Sequence, residues 1–361
     1  MKNRYQWILL MAMVLAAGCT SQKKTSLHSH DGAKPHAHTT NKSESNTDYF
    51  GDYILEDAAF GTKTKVNILG EQRVMETNAL PNHKTGAFPR KGNPNTIAAQ
   101  NKKYTFPLHP KYVGTPQWVR EPGVSLNGVK FEPGTAEVVI CDTGENYRVE
   151  AFQDVINLGL DFNNAHVQPT GAYHYHGAPT SVIEAFDTGN DLVHIGFAHD
   201  GFPMYYSKGN AYKSSYQLVG GDREGEDCTY TNPKNTLDIS VDGHHNGTYT
   251  SDFEYVEGSG DLDACNGITI QGNYMYMVTH TFPYVGRCLM GEVSQDQIGL
   301  RGQGGRPNAG QLMERLDENN DGKLSKAEVK GPLSANFSKV DANKDGYITA
   351  EELKKSGRPK R

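Results

Sequence analysis

Two twelve-residue acidic loops near the C-terminus of this 361-residue chain carry its plainest chemistry. In the first, Asp317, Asn319 and Asp321 offer side-chain oxygens, Lys323 its backbone carbonyl, Ser325 a direct or water-bridged oxygen, and Glu328 both carboxylate oxygens. Asp341, Asn343, Asp345, the Tyr347 carbonyl, Thr349 and Glu352 repeat that order in the second. Calcium is a hard cation that takes several oxygens in a flexible cage. Gly322 and Gly346 stand where the loop turns sharply and a side chain would obstruct positive φ. Every demanded position of the pattern D-x-[DN]-x-[DN]-G-x5-E is filled twice, so two Ca2+ sites are expected.

A second set of candidate ligands lies mid-chain, in Asn164-Ala-His166-Val-Gln-Pro169-Thr-Gly171-Ala-Tyr173-His174-Tyr175-His176. On a strand, alternate side chains share a face, so His174 and His176 point one way and the two tyrosines the other. Paired imidazoles of this kind suit a transition metal or acid/base work, and His166 is placed to complete a set. The motif has an echo in Gly272-Asn-Tyr274-Met275-Tyr276-Met277. Were the two strands adjacent, His174, His176, Met275 and Met277 would converge on a soft site suited to copper rather than zinc. Met275 and Met277 also read as core fillers, the use favoured here. His194 sits in an apolar strand pattern, His199-Asp200-Gly201 in a turn, and His244-His245 in a Gly- and Asn-rich loop. No nucleophile elbow, phosphate loop or dinucleotide fingerprint is present.

The elements that must position these groups are short. Segments 134–141, 147–152, 181–186 and 192–197 are rich in Val, Ile and Phe, and Gly, Asp, Asn or Pro bound them. They predict a mostly β domain, a sandwich or barrel-like body with long loops. A short helix is plausible only within 94–100. Residues 296–308 are rich in Gly, Gln and Arg and form a linker, and 309–361 resemble a small α-helical EF-hand pair. There Leu324 and Ile348 should meet in a two-stranded pairing, packed by Phe337, Val340 and Leu353.

At the other end, a basic start and a short apolar run, Trp7 to Ala17, are too brief to span a bilayer and have the layout of a leader, residues 1–18. Leu15-Ala-Ala-Gly-Cys19 resembles a bacterial lipoprotein processing site, which implies acylation of Cys19 and a lipid bilayer as partner. Residues 19–48 are polar and read as a flexible tether carrying His28, His30, His36 and His38. The implied location is the cell envelope, on the outer membrane. Cys141, Cys228, Cys265 and Cys288 remain, an even number that fits an oxidising compartment. Of three possible pairings, Cys141–Cys228 with Cys265–Cys288 is favoured because the latter closes a short loop. A net charge of −6 gives no reason to expect nucleic acid.

Between these ends the chain resembles the YHYH-domain family over 49–295. The resemblance rests on Thr77-Asn-Ala-Leu-Pro-Asn-His83, Gly86-Ala-Phe-Pro89, Gly92-Asn-Pro-Asn-Thr96, Asn157-Leu-Gly-Leu-Asp161, the central Tyr-His-Tyr-His, Asp200-Gly-Phe-Pro203, Leu262-Asp-Ala-Cys-Asn-Gly267 and Phe282-Pro-Tyr284. It implies a domain but no activity. Taken together, these readings point to a calcium-binding envelope lipoprotein whose histidines hold copper or zinc. The competing readings are a metal-dependent hydrolase using His174, His176, His199 and Asp200, and a calcium-stiffened adhesion module with a protein or glycan partner.

Overall fold

The computed structural model describes residues 49–141, 146–223, 228–232, 235–241 and 243–293, and, towards the C-terminus, 313, 316–317, 321–329, 333 and 337–355. The leader, Cys19, the tether, the 296–308 linker and Asn319 lie outside them.

Strands dominate, as the sequence predicts. An opening meander of four strands, Tyr53–Asp57, Thr62–Leu69, Gln72–Thr77 and Lys102–Pro107, pairs in chain order. Its second strand shows why: Thr62, Thr64 and Val66 are buried while the residues between them are exposed, the period of a half-buried strand.

Eight strands form the central sheet: β1 (Gly123–Ser125), β2 (Lys130–Phe131), β3 (Ala165–Val167), β4 (Tyr173–Tyr175), β5 (Leu192–Ala198), β6 (Pro203–Ser207), β7 (Gly267–Ile270) and β8 (Asn273–Val278). Their order across the sheet is β3-β4-β2-β1-β5-β6-β8-β7. The sheet is open at both ends, and none of the described sheets closes into a barrel.

That order is palindromic. From the β1/β5 seam outward, each half runs through a hairpin (β1-β2, or β5-β6), a parallel pairing (β2 with β4, or β6 with β8) and a second hairpin (β4-β3, or β8-β7). Hydrogen bonds repeat with it. Ser125 N–H reaches Val129 O and Ala198 N–H reaches Phe202 O; Gly128 N–H reaches Ser125 O and Gly201 N–H reaches Ala198 O. Gly128 and Gly201 both need their missing side chain, with φ of 89° and 93°. Asn164 and Asn266 both have positive φ, 55° and 61°, and receive the His176 and Met277 N–H groups respectively. Tyr173 donates to Asp161 and Tyr274 to Asp263, each at 2.8 Å. At the seam, Ser125 pairs with Gly196 and Gly123 with Ala198, each pair being the other's image. The domain is therefore built from two copies of one motif about an internal two-fold axis.

The main apolar cluster gathers residues of both halves, including Phe131, Tyr173, Tyr175, Phe197 and Leu289. A second cluster surrounds a four-stranded sheet made by Asn235–Ile239, Cys228–Asn232, Val138–Cys141 and Asn146–Arg148. There Cys141 and Cys228 stand directly opposite and are joined. Cys265 is joined to Cys288, so the favoured pairing holds. Towards the C-terminus Leu324 pairs with Ile348 as expected, with Phe337 and Val340 buried beside them and Leu353 packed against the cluster.

Two local expectations fail. Residues 181–186 are not a strand: Thr180–Phe186 form a helix, α1. Pro179 opens it, and Val182 and Phe186, four residues apart, are its buried side chains, a helical spacing that β-branched composition concealed. Residues 94–100 form no helix; their N–H groups at Ala98 and Gln100 are spent on Gly171 O and Asn78 O.

Candidate metal centre

β3 and β4 form an antiparallel hairpin in which His166 stands directly opposite His174. His176 follows two residues on, so all three imidazoles share one face. Their ring centroids lie 4.7–4.8 Å apart, and one ligand nitrogen from each falls within 4.8 Å of the others. Among the described residues this is the one such cluster of His, Cys, Asp and Glu.

The hydrogen bonds orient the rings. His166 Nδ1 lies 2.8 Å from Leu158 O; His174 Nδ1 and His176 Nδ1 lie 3.4 Å from Ala172 O and Pro133 O. A carbonyl only accepts, so the short contact puts the His166 proton on Nδ1 and leaves its Nε2 lone pair free. Backbone carbonyls on the far nitrogen are how metal-ligating histidines are commonly held. The Nε2 atoms of His166 and His176 are 3.1 Å apart. Without a metal His176 Nε2 donates to His166 Nε2, and a cation bound there would take the place of that shared proton. Burial, reinforced by the neighbouring imidazoles, holds the pKa of His174 and His176 well below the ordinary value, so both are neutral and ligand-competent at pH 7. His166 is only partly buried, which leaves an approach from solvent.

The tyrosines occupy the opposite face. Tyr173 donates to Asp161, and the Tyr175 hydroxyl accepts from Asn127 and meets His83 Nε2 at 2.7 Å. They fix the strand on which the histidines stand.

Around the imidazoles runs a charged cluster that inspection of the sequence missed. Lys130 pairs with His174 across β2/β4, and Glu132 follows on the same side of β2. The Lys130 ammonium meets Glu121 at 2.6 Å and Glu132 at 2.7 Å; Glu132 also takes Arg120 and, at 2.6 Å, the Gln168 amide. Lys130 and Glu132 are buried. The available signal was Lys130-Phe131-Glu132 itself, two charges flanking an aromatic residue in a strand.

The soft site does not form. β8, carrying Met275 and Met277, is separated from β4 by β2, β1, β5 and β6. Both methionines pack with Leu262 in a separate apolar cluster, the core role favoured from the sequence. His199 and Asp200 are also absent from the histidine cluster. His199 stacks on Phe106, and Asp200 accepts from Tyr276, Phe202 N–H and Gly291 N–H. His194 bonds Gly196 O at 3.0 Å, and His244 pairs with Asp222 at the surface.

In the calcium loops, Asp317 receives the Gly322 and Asp321 N–H groups, and Asp341 receives those of Gly346 and Asp345. Asp321 and Asp345 accept from Lys323 N–H and Tyr347 N–H, and Asn343 donates to Asp345. Glu328 folds back onto Ser325, and Glu352 onto Thr349. Glu328, Asp341 and Glu352 are buried, which for carboxylates asks for compensating charge.

A mostly β domain with a three-histidine face, followed by two acidic loops, defines the class. The family model described as YHYH protein matches residues 103–291, and the chain belongs to that family. The EF hand model matches residues 311–331 and 335–355, which supports calcium binding. No curated protein and no solved structure matches. The two disulfides accord with an extracellular or periplasmic protein. No described helix is long and apolar enough to cross a membrane.

Proposed function

We propose that this chain is a calcium-binding, lipid-anchored envelope protein whose YHYH domain holds a transition metal through His166, His174 and His176. The observation carrying the reading is the set of three imidazoles on one face, with one ligand nitrogen from each within 4.8 Å of the others. Three imidazole nitrogens with a solvent-side approach suit zinc or copper(II). Without Met275 and Met277 the set loses its bias toward copper(I). Cys19 supplies the acyl anchor, residues 19–48 the tether, 49–295 the YHYH domain, and 309–361 the calcium module, with one ion in each loop. In calcium-rich surroundings such loops stay filled, so their role is structural or docking.

The test is elemental analysis of the full chain beside a His174→Met/His176→Met variant. Met275 and Met277 occupy the matching places in the other half, so the frame accepts methionine there. One equivalent of zinc or copper should stay with the wild type and be lost from the variant. Equal metal content in both would remove the centre.

A further inference from the structure

The two halves of the domain are an internal comparison. Register alone fixes the equivalences: Ile268 pairs with Met275 as His166 pairs with His174, and Tyr205 meets Met277 on the strand position that Glu132 takes beside His176. Lys130 and Gln168 likewise correspond to Pro203 and Ile270. One frame thus stands twice, once faced by His166, His174, His176, Lys130, Glu132 and Gln168, and once by apolar side chains, a proline and Tyr205.

The comparison separates what the fold needs from what a ligand needs. Buried ion pairs lose solvation that their attraction only partly restores, and apolar side chains of similar volume are often at least as stable. The second half shows that this frame does without them. The charged set is therefore kept for a ligand, and a cavity marks where one would lie. About 170 Å3 in volume, it is lined by Lys102, Tyr104, Lys130, Gln168 and Ala172 among others, and by none of the three histidines. That is room for roughly five waters. It lies beside the histidine hairpin: Ala172 precedes His174 by two residues, Gln168 follows His166 by two, and Lys130 is the strand partner of His174.

Charge chooses the ligand class. Arg120 and Lys130 cancel Glu121 and Glu132, so a divalent ion on three neutral imidazoles would leave its own charge uncompensated. The lining carries two ammonium groups, Lys102 and Lys130, the Tyr104 phenol and the Gln168 amide; Lys130 and Gln168 each already donate to Glu132 and keep a further N–H. We propose that Lys130, Glu132 and Gln168 shape an anion pocket at the histidine centre, where a small carboxylate binds with its oxygen directed to the metal. Lys130 attracts the anion, while Glu132 holds the ammonium and the Gln168 amide in place. This rests on the metal reading of the same histidines.

Cobalt(II) and acetate are the probes, read by visible absorption on the full chain, with His174→Met/His176→Met protein as the blank. The wild type should show a cobalt spectrum absent from the blank, and acetate should shift it saturably. Lys130→Met should raise the acetate concentration for half-effect at least tenfold. Gln168→Ile, which installs the side chain of the other half, guards against misfolding and should raise it about threefold. A cobalt spectrum that acetate leaves unchanged, or equal acetate affinity in both variants, overturns the pocket alone. No cobalt spectrum above the blank overturns the metal centre and the pocket with it.

Discussion

Replacing Asp200 with Asn should change how stability depends on pH. Asp200 is fully buried, and burial pushes its pKa from the ordinary 3.8 up to about 6, against the pull of hydrogen bonds from Tyr276, Gly291 and Phe202. The folded protein then holds this proton more tightly than the unfolded chain. Its stabilising effect is full below about 3.8 and is lost as pH rises through about 6. The interval corresponds to about 3 kcal/mol. Asn127 holds the matching turn in the other half, accepting from Val129 N–H and donating to Tyr175; at position 200 an amide would also leave Gly291 N–H without its acceptor, a cost that does not vary with pH. Urea unfolding of wild type and Asp200→Asn across pH 4–7, at fixed calcium, isolates the single group. The wild-type advantage should shrink by about 2 kcal/mol from pH 4 to pH 7. A constant difference would refute the argument that a buried charge is being carried at neutral pH.

Three further outcomes follow from the geometry. Gly196→Ala should cost about 3 kcal/mol or more in thermal unfolding, because the new Cβ would meet Val124 O at 2.4 Å across the seam. Glu352→Gln should lower calcium stoichiometry by one ion in calorimetric titration, leaving the Glu328 loop as the remaining site. The triple variant Ile268→His/Met275→His/Met277→His should raise zinc stoichiometry by one, since the equivalent hairpin has the same register; an unchanged count would deny the equivalence.

That two EF hands close the chain was legible, because their residues stand at fixed distances along it. His174 and His176 were legible for a similar reason: alternation on one strand is a local property. His166 entered only as an option, since its place opposite His174 depends on a turn closed by Gly171, whose φ is 82°. Lys130 and Glu132 were invisible as site residues, because a parallel pairing between β2 and β4 joins segments more than forty residues apart. Adjacency of His174 with Met275 was a fair reading of two similar motifs. It failed because similarity placed them as symmetry mates at opposite flanks of the sheet rather than as neighbours. α1 was misread from composition, where Val182 and Ile183 outweighed the four-residue spacing of Val182 and Phe186.

The β1/β5 seam has the geometry of an isologous contact, in which each partner offers the same surface to the other. In a homodimer every substitution appears twice, and both binding faces must change together. Here the two partners are segments of a single polypeptide, so one codon alters one face. Histidines and methionines can then occupy matching positions in the same molecule, and one flank can take up metal chemistry while the other stays inert and carries weight.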